Sequence, residues 1–532
     1  MTEDDAQRAD VSSPGNVPLR EFGTISELIR THARVRPGHP ALVQDGGGGD
    51  RGEFTFATLD RWADRIAAAL QRDGIRARDT VAICAATRIE FIALFVGSLR
   101  AGAAVAPLPM SSHPRMLAAM VADAGAKKLF LDRAAADSLK TLSDLIGAPI
   151  IVIDDAGPAG LEHWMASAAT VPVSIEVTPD SPFNIIYSSG TTGNPKGIVQ
   201  PHALRWSNVQ RAAMSGYGPN SVTLLATPLY SNTTLVTLFG AMALGGTVVL
   251  MGKFTVRGYL ALAQEKRATH TVLVPAQYQR LLADENFDSF DLSAFQMKFS
   301  TGASFPAALK EQVLRRWPGG LTEIYGMTEG GGACMLEAHK HPAKLHTVGI
   351  PLPQHEIRLI DEAGREVPAG ETGEIVGRSP AMMSGYLNQG QATEAARWYD
   401  SAGRCFIRSG DIGRMDADGF LVLLDRKKDM IISGGFNVYP SDLESVLREH
   451  AAVYDAAVVG VPSARWGETP MAFVVLKEGA SLDAAELTLW VNARVEKVQR
   501  LAGTKIMPEL PRNAAGKVLK RELRDSIAPT AL

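Results

Sequence analysis

The chain has 532 residues, of which 46% are apolar, 21% charged and 7% aromatic, with 54 Lys plus Arg against 57 Asp plus Glu and a net charge of −3. These proportions suit a globular protein with more than one core and exclude a disordered, collagenous or coiled-coil chain. The balanced charge also argues against a surface built to grip nucleic acid or an anionic membrane.

Three cysteines, Cys84, Cys334 and Cys405, lie far apart and make neither a zinc spacing nor a disulfide framework. They point to a reducing, cytoplasmic setting. The acidic start Met1-Thr2-Glu3-Asp4-Asp5 lacks the basic and apolar regions of a signal peptide, and no run of apolar residues is long enough to span a bilayer.

In chain order, residues 1–21 are polar, with Pro and Gly, and read as a flexible tail. From Phe22 helical and strand patterns alternate. The spacing predicts a helix over 59–71, a strand over 80–84, a helix over 90–100 and a strand over 105–108. The run Gly46 to Gly49 reads as a turn without chemistry. Further short apolar strands fall at 129–131, 150–153, 184–187, 222–226, 247–250 and 271–274, most of them followed by a helical stretch. Such a rhythm predicts an α/β fold of mostly parallel sheets covered by helices. Near residue 350 the pattern changes to short strands at 357–360 and 374–377, split by the turn at 361–364, a small β-rich region. After Asp425 comes a block of about 100 residues, small-domain size, with helices predicted near 440–449 and 484–498 and strands near 456–461 and 472–477. It reads as a small α+β domain.

The strongest chemical signal is Tyr187-Ser188-Ser189-Gly190-Thr191-Thr192-Gly193-Asn194-Pro195-Lys196-Gly197, directly after an apolar strand. Its glycines free the backbone to wrap an anion, its hydroxyls and N–H groups can donate to phosphate oxygens, and Lys196 adds a cation. It is not a Gly-Lys-Ser/Thr phosphate loop, because Lys196 is preceded by Pro195 and followed by Gly197. Four more segments follow: Tyr325-Gly326-Met327-Thr328-Glu329, Arg408-Ser409-Gly410-Asp411, Asp425-Arg426-Lys427-Lys428-Asp429 with Ser433-Gly434-Gly435, and Pro511-Arg512-Asn513-Ala514-Ala515-Gly516-Lys517. Singly each has a plain reading: a core tyrosine, a turn aspartate, a solvated charge run, an exposed lysine. Their order overturns those readings.

In that order the five segments resemble the adenylate-forming superfamily, which includes acyl-CoA synthetases, aryl-CoA ligases, firefly-type luciferases and peptide-synthetase adenylation domains. The resemblance extends from about residue 22 to the end and is nearest to the acyl- and aryl-CoA ligases. It implies a large N-terminal domain over 22–424, a hinge at 425–428 and a mobile C-terminal domain over 429–532. It implies ATP, Mg²⁺ and CoA as reactants and cofactors. Ser188, Ser189, Gly190, Thr191, Thr192, Gly193 and Lys196 would hold the nucleotide phosphates. Gly302, Ala303 and Ser304 with Tyr325, Gly326 and Met327 would frame the adenine. Thr328 would contact the α-phosphate and Glu329 the metal. Asp411 would accept from the ribose hydroxyls, Arg426 would donate to the ribose, and Lys517 would bridge the carboxylate and the α-phosphate. Lys428 falls at the pivot. Gly434 and Gly435 would line a pantetheine tunnel, and Trp466 and Arg500 would meet CoA. The resemblance leaves room for a homodimer and for a lysine acetyltransferase acting on Lys517.

The implied activity is an ATP-dependent acid–CoA ligase working through an acyl-adenylate, with a medium or long fatty acid or an aryl or arylpropenoic acid as substrate. The alternative acceptor is the phosphopantetheine of a carrier protein. Many relatives carry His after an aromatic where this chain has Ser231, and amino-acid-activating relatives carry an Asp that is absent here. Tyr230, Ser231, Asn232, Thr233, Gly331 and Gly332 are the acyl-pocket candidates; none is charged, and the glycine run is expected to leave a deep, apolar cavity.

Overall fold

The computed structural model describes residues 19–45, 52–188, 196–434, 436–463, 465–512 and 516–527. The Gly46 to Gly49 turn and most of the 1–21 tail lie outside the described residues.

Two large sheets dominate. In the first, of nine strands, Pro40–Gln44, Thr247–Leu250, Val222–Leu225, His270–Leu273, Met297–Ser300 and Gly320–Tyr325 pair in parallel in that order. In the second, of seven, Ile150–Val152, Lys128–Leu131, Thr80–Cys84, Ala104–Pro107 and Pro182–Ser188 are likewise parallel, and Lys196–Pro201 returns antiparallel to the last of these. The α/β alternation in the sequence is therefore a parallel-sheet architecture, with most strand positions met to within two residues.

The helices Phe56–Arg72, Ile89–Arg100, His202–Met214 and Asn232–Ala243 contribute to one core with residues from both sheets, among them Val81, Val105, Leu225 and Phe299. A helix between two sheets must be apolar all round, and Ile89–Arg100 is buried along almost its whole length. Its one guanidinium, Arg100, is held by Asp60 at 2.6 Å and Asp64 at 2.9 Å. Gly97 lets this helix approach its neighbour: a Cβ there would lie 2.6 Å from Ile66 Cβ.

A third sheet of five strands centres on Cys405–Met415, flanked by Thr372–Arg378, Arg397–Tyr399 and Leu421–Arg426. The chain then enters a fourth sheet built on the hairpin Val453–Ser463 with Gly467–Leu476. Apolar clusters cover both of its faces, one under Pro440–Glu449 and Ala484–Asn492, the other under Lys520–Asp525. The helix predicted over 484–498 stops at Asn492. The cause is local: the Asn492 carboxamide donates to the Leu501 carbonyl at 3.0 Å and accepts from the Leu501 N–H at 2.7 Å, folding the chain back. No helix among the described residues is long and apolar enough to cross a membrane.

Candidate active site

Parallel strands place the loops at their C-terminal ends together, and ligands bind there in open α/β sheets. Gly302 follows Met297–Ser300, Tyr325 ends Gly320–Tyr325, and Tyr230 follows Val222–Leu225. Gly302 has φ +88°, and a Cβ on it would point at Thr233 Oγ1, 3.9 Å away at the start of Asn232–Ala243. Ser304 is exposed and Ala303 half-buried beside it. Ser188 closes its strand, while Ser189, Gly190, Thr191, Thr192 and Gly193 lie outside the described residues.

The third sheet supplies a carboxylate. Asp411 and Arg426 are direct cross-strand partners, joined by an ion pair of 2.6 Å between Arg426 Nε and Asp411 Oδ1. The Tyr325 hydroxyl donates to Asp411 Oδ2 at 2.9 Å, tying the first sheet to the third. Burial raises the Asp411 carboxyl above its usual range; Arg426, Tyr325 and Lys517 pull it back. The same burial, with the Asp411 charge, holds the Tyr325 phenol well above its usual value. Lys517, from the far end of the chain, sits close enough to feel Arg426, Lys428, Asp411 and Asp429, and burial first and the two cations next lower its pKa. The loop that delivers it packs on the large domain, since a Cβ on Gly516 would lie 3.2 Å from Val274 Cγ2.

Glu329 forms a second focus. The Tyr386 hydroxyl donates to Glu329 Oε1 at 2.9 Å, and the ammonium of Lys196 stands 5.1 Å from the centre of the Tyr386 ring. Tyr386 reaches this position because its short strand pairs with Lys196–Pro201, Tyr386 opposite Ile198. The arrangement sets a cation at the ring and a carboxylate at the hydroxyl of one tyrosine. Glu329 suits Mg²⁺, which uses one or two protein carboxylates and takes its other ligands from phosphates and water.

Beneath Thr328 lies a polar cluster that the sequence did not announce. Gln200 donates to the Thr328 carbonyl at 2.6 Å. Fully buried Arg205 donates to Gln200, to Asn184 at 3.0 Å and to Asn232 at 2.7 Å, with its guanidinium over the Phe183 ring. No carboxylate pairs with it among the described residues, and burial lowers its pKa to about 9. The cluster fixes the backbone between Thr328 and Glu329 to the start of Asn232–Ala243.

Two acyl-pocket expectations change, those on Asn232 and on the glycine run. Asn232 turns its side chain into the Arg205 cluster rather than toward an acyl group. The Tyr230 hydroxyl is bound to Ser111, and burial raises its pKa. Ser231 precedes the helix Asn232–Ala243 without a side-chain cap. Gly331 and Gly332 leave no deep cavity, because a Cβ on Gly331 would meet Ile407 at 3.0 Å and one on Gly332 would meet the Glu356 carbonyl at 2.5 Å. Their small size admits the neighbouring strand Thr372–Arg378 at Gly377, so the space is filled by backbone.

In the small domain, Gly434 has φ +59°, and a Cβ there would lie 2.7 Å from the Trp466 ring, so these two stack closely. Gly435 lies outside the described residues. Arg500 is exposed, next to the turn Lys497–Gln499 that packs on Phe436–Val438. Lys428 is exposed just after Leu421–Arg426, beside Lys427, which pairs with Glu374 at 3.0 Å. Tyr386, Gln200 and Arg205 are the participants that sequence reasoning missed. No local pattern marks them, since topology alone joins them to Thr328 and Glu329.

The AMP-binding enzyme model matches residues 29–387 and the AMP-binding enzyme C-terminal domain model matches residues 442–517. An indoleacetate–CoA ligase of Aromatoleum aromaticum is 32% identical over 95% of this chain and 98% of its own length. A feruloyl-CoA synthase of Amycolatopsis is 32% identical over 95% of this chain and 99% of its own. The crystal structure of ATP-bound MatB from Rhodopseudomonas palustris, 28% identical, superposes with a TM-score of 0.83 over 95% of this chain and 99% of that one. The chain belongs to the AMP-binding, adenylate-forming enzyme family. Within it, the chain is an AMP-forming acid–thiol ligase.

Proposed function

We propose that the protein joins a carboxylic acid, aryl, arylpropenoic or medium- to long-chain, to CoA in two steps. First the acid's carboxylate oxygen attacks the α-phosphorus of ATP, and the bond to the bridging oxygen breaks, releasing pyrophosphate and leaving an acyl-adenylate. Then the CoA thiol, losing its proton, attacks the acyl carbonyl and AMP departs with the electron pair. The observation that carries this reading is the convergence of Lys517 on the Asp411–Arg426 pair. An aspartate and an arginine of one hairpin meet a lysine from the far end of the chain, the charges that activation of an anion on a nucleotide calls for.

The first step needs no general base, because the acid is already ionised at neutral pH. Its barrier is the approach of two anions, so preorganised cations lower it most. Lys517 is assigned to bridge the carboxylate and the α-phosphate, and Lys196, with Thr191 and Thr192, to hold the departing pyrophosphate. Asp411 accepts from the ribose diol while Arg426 keeps it oriented, and Gly302, Ala303, Ser304, Tyr325, Gly326 and Met327 border the adenine. Thr328 contacts the α-phosphate, its backbone held by Gln200. Glu329 would hold Mg²⁺, which would supply neutralisation of phosphate charge. Gly434, Gly435, Trp466 and Arg500 are assigned to CoA, and Lys428 to the pivot between steps.

The test is pyrophosphate release from ATP with a panel of acids, followed by CoA addition and mass analysis of the thioester. Acid-dependent pyrophosphate and then a CoA thioester are expected. ATP turnover that ignores the acid, or none with any acid, overturns the reading. Transfer to a holo-carrier protein but not to CoA would reassign the acceptor.

A further inference from the structure

The short strand Gly385–Tyr386 lies antiparallel to Lys196–Pro201, with Tyr386 opposite Ile198. Lys196 stands two residues before Ile198 and so shares its face, a diagonal neighbour within reach of an aromatic ring. That register brings the Lys196 ammonium to 5.1 Å from the centre of the Tyr386 ring. The segment around Tyr386 is pinned at several points. Leu387 donates its N–H to the Gly197 carbonyl at 2.7 Å, and Met383 donates its own to the Glu329 carbonyl at 2.8 Å. The Tyr386 N–H is taken by Oγ1 of buried Thr393 at 2.9 Å. The Tyr386 side chain thus has a fixed base, and its hydroxyl donates to Glu329 Oε1 at 2.9 Å.

Lys196 and Glu329 carry opposite charges and both contact this tyrosine, yet no ion pair joins them. Neither pairs with another charged side chain among the described residues, and Glu329 Oε2 accepts no hydrogen bond there. The tyrosine satisfies each charge without cancelling it. A phenol O–H bonded to a carboxylate leaves it an anion, and a ring beneath an ammonium leaves that group its charge and its N–H donors. Direct pairing would make Mg²⁺ compete with the ammonium for the carboxylate, and phosphate compete with the carboxylate for the ammonium. The phenol itself stays protonated, since burial first and the Glu329 charge next raise its pKa.

We propose that Tyr386 is a positioning residue that holds Glu329 and Lys196 apart as separate charges, its hydroxyl turning the Glu329 carboxylate toward Mg²⁺ and its ring keeping the Lys196 ammonium for the nucleotide phosphates. This rests on the roles given to Glu329 and Lys196 in the ligase reading. The two parts of the side chain have separable tasks. Losing the hydroxyl frees the carboxylate to rotate, whereas losing the ring as well lets ammonium and carboxylate close on each other. The first change weakens the metal site alone; the second weakens metal and phosphate binding together.

The experiment uses the full chain as wild type, Tyr386→Phe and Tyr386→Leu, with α,β-methylene-ATP as a nucleotide that cannot be cleaved at the α-phosphate. Two equilibria are read: affinity for the analogue in EDTA by calorimetry, and Mn²⁺ affinity of the analogue-bound protein by EPR. Tyr386→Phe should weaken Mn²⁺ binding by about fivefold or more, the scale of one hydrogen bond to a charged group, and shift the metal-free analogue by less than about twofold. Its acid-dependent pyrophosphate release should recover as Mg²⁺ is raised. Tyr386→Leu should in addition weaken the metal-free analogue by about threefold or more, the scale of one cation–π contact. Unchanged Mn²⁺ affinity in Tyr386→Phe, or a rate that no Mg²⁺ concentration recovers, overturns the inference. So does an equal loss of Mn²⁺ and metal-free analogue affinity in Tyr386→Phe, the mark of a merely structural role, or a Tyr386→Leu that matches Tyr386→Phe in both equilibria. Neither equilibrium involves the acid, so failure of every acid to yield AMP overturns the ligase reading while these affinities still decide the role of Tyr386.

Discussion

Lys517 is where residue chemistry and position meet. It lies near Asp411 and Arg426, and its lowered pKa reflects burial among cations. Lys517→Ala should slow acyl-adenylate formation by two orders of magnitude or more, about 3 kcal/mol, the scale seen when one preorganised donor to a developing charge is lost. Thioester formation from a supplied acyl-adenylate should stay near wild type, because that step does not bring two anions together. Equal loss in both half-reactions, measured separately, would contradict the assignment. This residue was legible in the sequence only through the order of five segments; alone it reads as a surface lysine. Arg205, Gln200 and Tyr386 were not legible at all, because each depends on a partner brought in by strand pairing or by a helix face.

Elements were read more securely than side chains. Helix Pro440–Glu449 and strand Thr80–Cys84 fall where periodicity put them, because one is amphipathic and the other a short buried apolar run. Glycines were misread, since small size was taken for cavity when it serves close backbone approach. Gly332 and Gly377 face each other, and a Cβ on Gly377 would lie 2.3 Å from the Gly332 nitrogen. Gly332→Ala should therefore destabilise the protein by about 1–3 kcal/mol in chemical denaturation, the usual cost of overpacking, and leave the ranking of acids unchanged. Normal stability with a shift toward shorter acids would restore the cavity reading. The segment after Leu421–Arg426 invites a second test. Lys428→Pro fixes φ where a pivot must turn, so thioester formation should fall at least tenfold with pyrophosphate release largely kept. The reverse pattern in stopped-flow assays would move the pivot elsewhere.

For the molecule as a whole, the central core carries titratable groups that oppose acid. His202 and His270 are buried, and desolvation lowers both pKa values to about 4 from 6.5. Their folded values lie below the unfolded one, so the unfolded chain binds more protons as pH falls. Stability is full above about pH 6.5 and declines toward pH 4, by up to about 3 kcal/mol for each ring. Denaturation midpoints at pH 7.0, 6.0 and 5.0 should fall steadily, and His270→Gln should flatten the curve; midpoints that stay level over that range would refute the prediction. The hairpin that pairs Asp411 with Arg426 has another consequence, since it ends two residues before Lys428. On the proposed reading, the grip on the sugar and the axis of rotation belong to one piece of backbone. Pyrophosphate carries no sugar, whereas AMP does. On the proposed reading, the first product can leave without disturbing that backbone, and the last cannot leave without releasing it. That reading gives turnover a direction: departure of AMP and return of the small domain would be a single event.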